Sequence, residues 1–242
     1  MNIFNCILSY IKKFRIKRDI EADREYEGIR YKRKNHAVSI DVLQEGDFLF
    51  CRPRRDVEGK NIQSNVIQSF TGGYYTHCAI YIGNGEALHA VQPCVARILL
   101  DDLLKEYDYL VATRLHSTNN KSLINFVNQN IGKPYNLKGA IYAPYFEEKY
   151  VVRQNIRYMG KPKISSRRQI KNKLFCSQLL MEYMAYNCLE QHQQVERYFQ
   201  SEYWTPTGLA KYGYGDFFKL IGFLSAPANF DRDYFLTGNM QN

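Results

Sequence analysis

The sequence contains no run of 18 apolar residues, which argues against a bilayer-spanning helix. A secretory signal is not expected either, because the N-terminal charges follow the apolar residues and no small-residue cleavage site succeeds them. Cysteine is sparse, six in 242 residues, irregularly spaced and without a Cys-x-x-Cys pair. That excludes a disulfide scaffold and favours a reduced, cytoplasmic setting, at most peripheral at the inner face of a membrane. The usual nucleic-acid-binding motifs, internal repeats and low-complexity segments are also missing, so nucleic acid is not an expected partner. Helices and strands do not follow a βαβ rhythm, which favours α+β over a doubly wound sheet.

What remains is a chain with 45% hydrophobic residues, long enough for one core without staples. Its net charge of +9 is unevenly placed: residues 1–34 carry +5 and residues 151–173 carry +8, so the remainder stands at −4. In the first segment Ile3, Phe4, Ile7, Leu8, Ile11 and Phe14 recur at helical spacing beside Lys12, Lys13, Arg15, Lys17 and Arg18. Such a helix suits an anionic membrane surface, or packing on the domain's own core. Residues 1–38 therefore read as a basic amphipathic extension, and residues 39–242 as the folded domain, with a basic insertion at 151–173.

Within that domain LQEGDFLFCRP predicts a strand over Phe48–Arg52, and NVIQSFTGGYY a short helix ended by Gly72 and Gly73. THCAIYIGNGEALHA predicts a hairpin, its second strand running Ala87–Val91. Asp101–Tyr107 reads as a helix, Tyr109–Leu115 as a strand and Leu123–Ile131 as a helix stopped by Gly132 and Pro134. The apolar period resumes in LFCSQLLMEYMAYNCLE, a long helix with Cys176 at its start.

A thiol at a helix start faces exposed N–H groups and the positive end of the helix dipole, which favour thiolate. It then needs a base, and that base needs a group to orient it. His77 and His89 are candidates if they share a face of the hairpin. A two-residue Asn84-Gly85 turn pairs residues whose numbers sum to 169 and puts them on opposite faces, with Gln92 opposite His77. A three-residue loop, or a bulge in either strand, gives 168 and brings both imidazoles to one face.

The EGDFLF strand, THCAIYIGNG, IGKPYN and FCSQLL together resemble the circularly permuted papain-like cysteine hydrolases, a family spanning YiiX-like bacterial proteins, a poxvirus branch and lecithin:retinol acyltransferase. The resemblance runs from about Leu43 to Leu180, with the histidine strand ahead of the cysteine helix. It implies an antiparallel sheet carrying the histidines, packed on the helix that carries the nucleophile. It further implies Cys176 as nucleophile, His77 as general base and His89 as the third polar residue, acting on an amide or ester bond through a thioester. The family's aspartate after Pro-Tyr is Asn136 here, and the basic insertion is not part of its pattern. Tyr75 and Tyr135 are candidate pocket walls, and Gln92 is the alternative orienting group. No cofactor is implied. The expected substrate is acylated, peptide or lipid, and residues 1–18 would supply any peripheral membrane contact.

Two other readings compete. His77, Cys78, His89 and Cys94 could be metal ligands, although adjacent strand residues point to opposite faces and no metal is expected. A non-catalytic module could instead use the basic segments to contact anionic lipid or nucleic acid.

Overall fold

A computed structural model describes residues 37–54, 74–116, 121–147, 171–191, 201–213, 217–225, 233 and 235. The expected amphipathic helix of residues 1–18, the short helix before Gly72 and residues 151–170 of the basic stretch lie outside the described residues. The described elements all belong to the unit His36–Asn242.

Among the described residues six antiparallel strands form its sheet: β1 (Phe48–Pro53), β2 (His77–Gly83), β3 (Glu86–Ala90), β4 (Val95–Leu99), β5 (Tyr107–Leu115) and β6 (Phe218–Leu224), in the order β4-β3-β2-β1-β5-β6. Among the described residues the helices are α1 (Leu100–Glu106), α2 (Lys121–Asn130), α3 (Leu137–Phe146), α4 (Cys176–Gln191) and α5 (Pro206–Gly213). Strand β1 is central, and Phe48 through Cys51 are completely buried, which is why FLFC is continuously apolar instead of alternating. Phe48, Phe50, Cys78, Ile80, Leu88 and Val111 face one way and join the core built with α4. Leu49, Cys51, Ala79, Tyr81, Ala87 and Leu110 face the other way, under Leu100 and Leu103 of α1. Each large apolar side chain buried in these layers contributes about 1.5–3 kcal/mol.

The turn before β1 explains EGD. Gly46 has φ +91°, and a Cβ there would lie 2.7 Å from the Tyr183 hydroxyl. Asp47 is fully buried, accepts from the Gln44 N–H at 2.8 Å, and receives Arg114 Nε and Nη2 at 2.7 and 2.9 Å. The bidentate pair fastens the entry of β1 to β5.

The strands expected from the sequence are present with shifted ends: β1 runs on to Pro53, β3 spans Glu86–Ala90 and β5 begins at Tyr107. Strand β4, helices α3 and α5 and strand β6 were not anticipated. Leu99 on β4 is 55% exposed, which blurs the alternation, and α3 holds Gly139 and Pro144, residues that ordinarily argue against a helix.

Candidate active site

The site forms at one end of the sheet, where β1 and β3 finish and β2, β4 and β5 begin. The hairpin register decides which side chains meet there. Asn84 and Gly85 both have positive φ, closing a two-residue turn between Gly83 and Glu86. The register then shifts between Tyr81 and Gly83, so that Tyr81 pairs with Ala87 and Ala79 with His89. The tight turn and the bulge thus occur together, and the bulge moves the pairing to the sum of 168. His77, Ala79 and His89 consequently share a face, and His77 Nε2 lies 3.2 Å from His89 Nδ1. The rings meet nearly edge to face, with centroids 5.3 Å apart, and His77 stacks on Tyr107 at 5.9 Å with 9° between planes. Gln92 sits in the exposed β3–β4 turn.

Burial, and secondarily the charge of His77, push the His89 pKa down from 6.5 to about 3, so this imidazole is neutral at neutral pH. In the tautomer that carries its proton on Nε2, a neutral His89 offers Nδ1 as acceptor to an Nε2–H of His77. That leaves Nδ1 of His77 for a second partner.

The cysteine arrives from almost a hundred residues away through the IGKPYN segment, whose backbone bonds join the hairpin to α4. Gly132 N–H donates to Val95 O and Val95 N–H to Lys133 O, both at 2.8 Å, and Tyr135 N–H donates to Pro93 O at 2.9 Å. On the other side Leu174 N–H donates to Pro134 O at 3.1 Å and Asn136 N–H to Leu174 O at 2.9 Å. Two residues later Cys176 opens α4, buried with 2% of the residue exposed. Its first-turn N–H groups have no carbonyl one turn earlier in the helix to bond.

The Cys176 thiol is held well below its ordinary pKa. The Cys78 thiol, hydrogen-bonded to it, is the largest cause; burial opposes the shift, and the hydrogen bond and charge of His77 and the Ser177 N–H reinforce it. Burial and the same contact to Cys176 push Cys78 upward. Of the two thiols Cys176 is therefore the one that gives up its proton more readily. Burial also raises Cys51, Tyr107 and Tyr135, each further raised by negative charge on Cys176.

The structure thus brings together Cys176, His77, His89 and Tyr135. Tyr135 is partly exposed and packs against Phe175. Tyr75 stands elsewhere, correcting the expectation of a pocket wall: its fully buried ring packs on Phe50 and Phe235, and its hydroxyl donates to Asp233 at 2.5 Å. Tyr107 was not anticipated at the site, and Cys78 only as one of four candidate metal ligands, not as the thiol bonded to Cys176. The alternation that places Cys78 with Ile80, toward α4, was the available signal for that thiol; Tyr107 is brought in by the β1–β5 pairing, which the hairpin pattern does not reveal. Asn136 caps α3, accepting from Gly139 N–H at 3.0 Å and donating to Gln178 Oε1 at 3.3 Å. Among the described residues no group of three or more His, Cys, Asp or Glu could hold a metal ion. Nor is any helix among them long and apolar enough to cross a membrane.

Residues 42–142 match the model of a family described as permuted papain-like amidase enzyme, YaeF/YiiX, C92 family. The matched segment carries β1 to β5, both histidines and the start of α3; Cys176 lies beyond it. No curated protein matches the chain. The fold is α+β, with the histidine strands preceding the cysteine helix, and the segment that matches the family model is described as permuted papain-like.

Proposed function

We propose, for a chain whose matched segment is that of a permuted papain-like amidase, that it is a cysteine hydrolase or acyltransferase cleaving an amide or ester bond at Cys176. The observation that carries this reading is the relay itself: a thiol held low in pKa at the head of α4, with His77 acting on it and His77 Nε2 bonded to a neutral His89. His77 takes the proton of the Cys176 thiol, and the thiolate so formed attacks the carbonyl carbon, forming the C–S bond as the negative charge moves onto oxygen. The Cys176 N–H at the helix head serves as a donor to that oxyanion. The C–N or C–O bond then breaks as His77 gives its proton to the departing amine or alcohol. Water, or another acceptor, loses a proton to His77, attacks the thioester and regenerates the thiolate. His89 keeps the His77 ring in the orientation this shuttle needs. The substrate class is acylated, peptide or lipid, and residues 1–18 fit peripheral contact with an anionic membrane.

Alkylation kinetics with iodoacetamide against pH test the reading. Cys176 should react well below the free-thiol midpoint of about 8.5, and His77→Ala should move its midpoint upward. Ordinary thiol behaviour in both proteins would overturn it.

A further inference from the structure

The hairpin's own contacts fix the His77 ring unevenly. The bond from Nε2 to His89 anchors one nitrogen. The torsion that rolls an imidazole about its Cβ–Cγ bond is broad, so a single bond of this kind leaves the roll poorly defined. A proton shuttle needs it defined, because the same roll carries the other nitrogen toward or away from the thiol.

The surface that limits the roll comes from β5. The Tyr107 ring lies within 9° of parallel to His77, centroids 5.9 Å apart, whereas His89 meets His77 nearly edge to face. Rolling His77 about Cβ–Cγ would drive an edge of its ring into the Tyr107 face.

Tyr107 reaches that position through an irregularity in its strand. Leu110 pairs with Cys51 and Tyr109 with Arg52, so strict alternation would set Asp108 opposite Pro53 and leave Tyr107 on the α4 face with Tyr109. The register instead shifts between Arg52 and Pro53, and Tyr107 pairs with Pro53. The extra residue turns the Tyr107 ring to the face of Cys51, Ala79 and Leu110. That is also the face of His77, whose partner on β1 is Cys51. The backbone is held there: α1 ends at Glu106, Tyr107 is already extended, and Arg54 Nε donates to its carbonyl at 3.1 Å. Burial, and then negative charge on Cys51, Glu106, Cys176 and Cys78, push the Tyr107 hydroxyl up in pKa, so a neutral ring lies against His77. One bulge brings His89 to His77, and a second, in a different strand pair, brings Tyr107.

Resting on the cysteine hydrolase or acyltransferase reading above, we infer that Tyr107 is a positioning residue: its flat face fixes the roll of the His77 ring and keeps that ring turned toward Cys176. His89 holds one nitrogen and Tyr107 holds the plane.

The test is a double-mutant cycle read by iodoacetamide alkylation of Cys176 against pH. Tyr107→Leu should raise the alkylation midpoint, and Tyr107→Phe, which keeps the face, should restore most of the difference. In a His77→Ala background Tyr107→Leu should add nothing, because a positioning residue acts only through the ring it holds. With p-nitrophenyl acetate as substrate, Tyr107→Leu should lower kcat by about 10-fold or more and leave KM close to wild type. If the leucine variant does not unfold cooperatively in urea, Tyr107→Met, which also lacks a flat face, takes its place. An unmoved midpoint would overturn the inference, as would a loss in Tyr107→Phe equal to that in Tyr107→Leu. An equal rise with and without His77, the mark of packing alone, would overturn it too. A wild-type Cys176 that alkylates as an ordinary thiol would instead overturn the catalytic reading on which the role of Tyr107 rests.

Discussion

A second thiol beside the proposed nucleophile, Cys176, makes Cys78 more than a filler of the core. It is completely buried on β2 and is the largest cause holding the Cys176 pKa down, ahead of His77. Cys78→Ala removes the hydrogen-bond donor but leaves His77 and the helix head, so the alkylation midpoint of Cys176 should rise without reaching that of a free thiol. Cys78→Ser retains an O–H donor in nearly the same volume and should hold the midpoint close to wild type. The same iodoacetamide profile reads both, and equal midpoints in wild type and Cys78→Ala would mean that His77 alone sustains the thiolate. The histidines divide their work differently. His89 touches His77, so His89→Ala should lower turnover by about 10²-fold or more through the misplaced base while leaving KM close to wild type.

Between the hairpin and α4 the decisive element is the short connection from Gly132 to Asn136. Its bonds to Pro93, Val95 and Leu174 tie two parts of the site that are distant in sequence. Asn136 then turns the chain into α3 by capping Gly139 N–H, and the cap is tightly built, because a Cβ at Gly139 would come within 3.0 Å of the Phe175 ring and closer still to the Asn136 side chain. Asn and Asp are nearly equivalent caps, so Asn136→Asp, the residue the family resemblance leads one to expect, should be tolerated, whereas Asn136→Ala should cost about 1 kcal/mol in urea unfolding. This connection also marks where sequence reasoning ends. The histidine pair could be read from a two-residue periodicity plus one bulge, and Cys176 from its place at the head of an apolar period. Helix α3 could not, since Gly139 and Pro144 contradict helix propensity and are tolerated through packing on Phe175 and the cap. Strand β6 pairs with β5 across about a hundred residues of sequence, a contact with no local signature.

At the scale of the molecule, two buried ionisable groups give acid stability opposing slopes. His89 is neutral in the fold, with its pKa lowered from 6.5 to about 3 by burial and then by His77. Between those values the unfolded chain binds the proton and the folded chain does not. The His89 contribution is fully present above pH 6.5 and is lost as pH falls toward about 3, at roughly 1.4 kcal/mol per pH unit. Asp233 acts in the other direction. Burial raises its pKa above 3.8, against the hydrogen bonds from Tyr75, Phe235 N–H and Tyr109, so the folded chain holds that proton more tightly and stability falls as pH rises through its window. A wild-type pH profile therefore mixes the two, and His89→Gln separates them, since it keeps a polar side chain but cannot take up the proton. Urea unfolding of both proteins from pH 7.5 to 4.5 should give a difference that is flat above about pH 7. Below 6.5 wild type should lose stability faster than His89→Gln, with the gap growing as pH drops. Parallel profiles down to pH 4.5 would mean that His89 titrates alike in the folded and unfolded chains, and the neutral imidazole bonded to His77 Nε2 would no longer describe the relay.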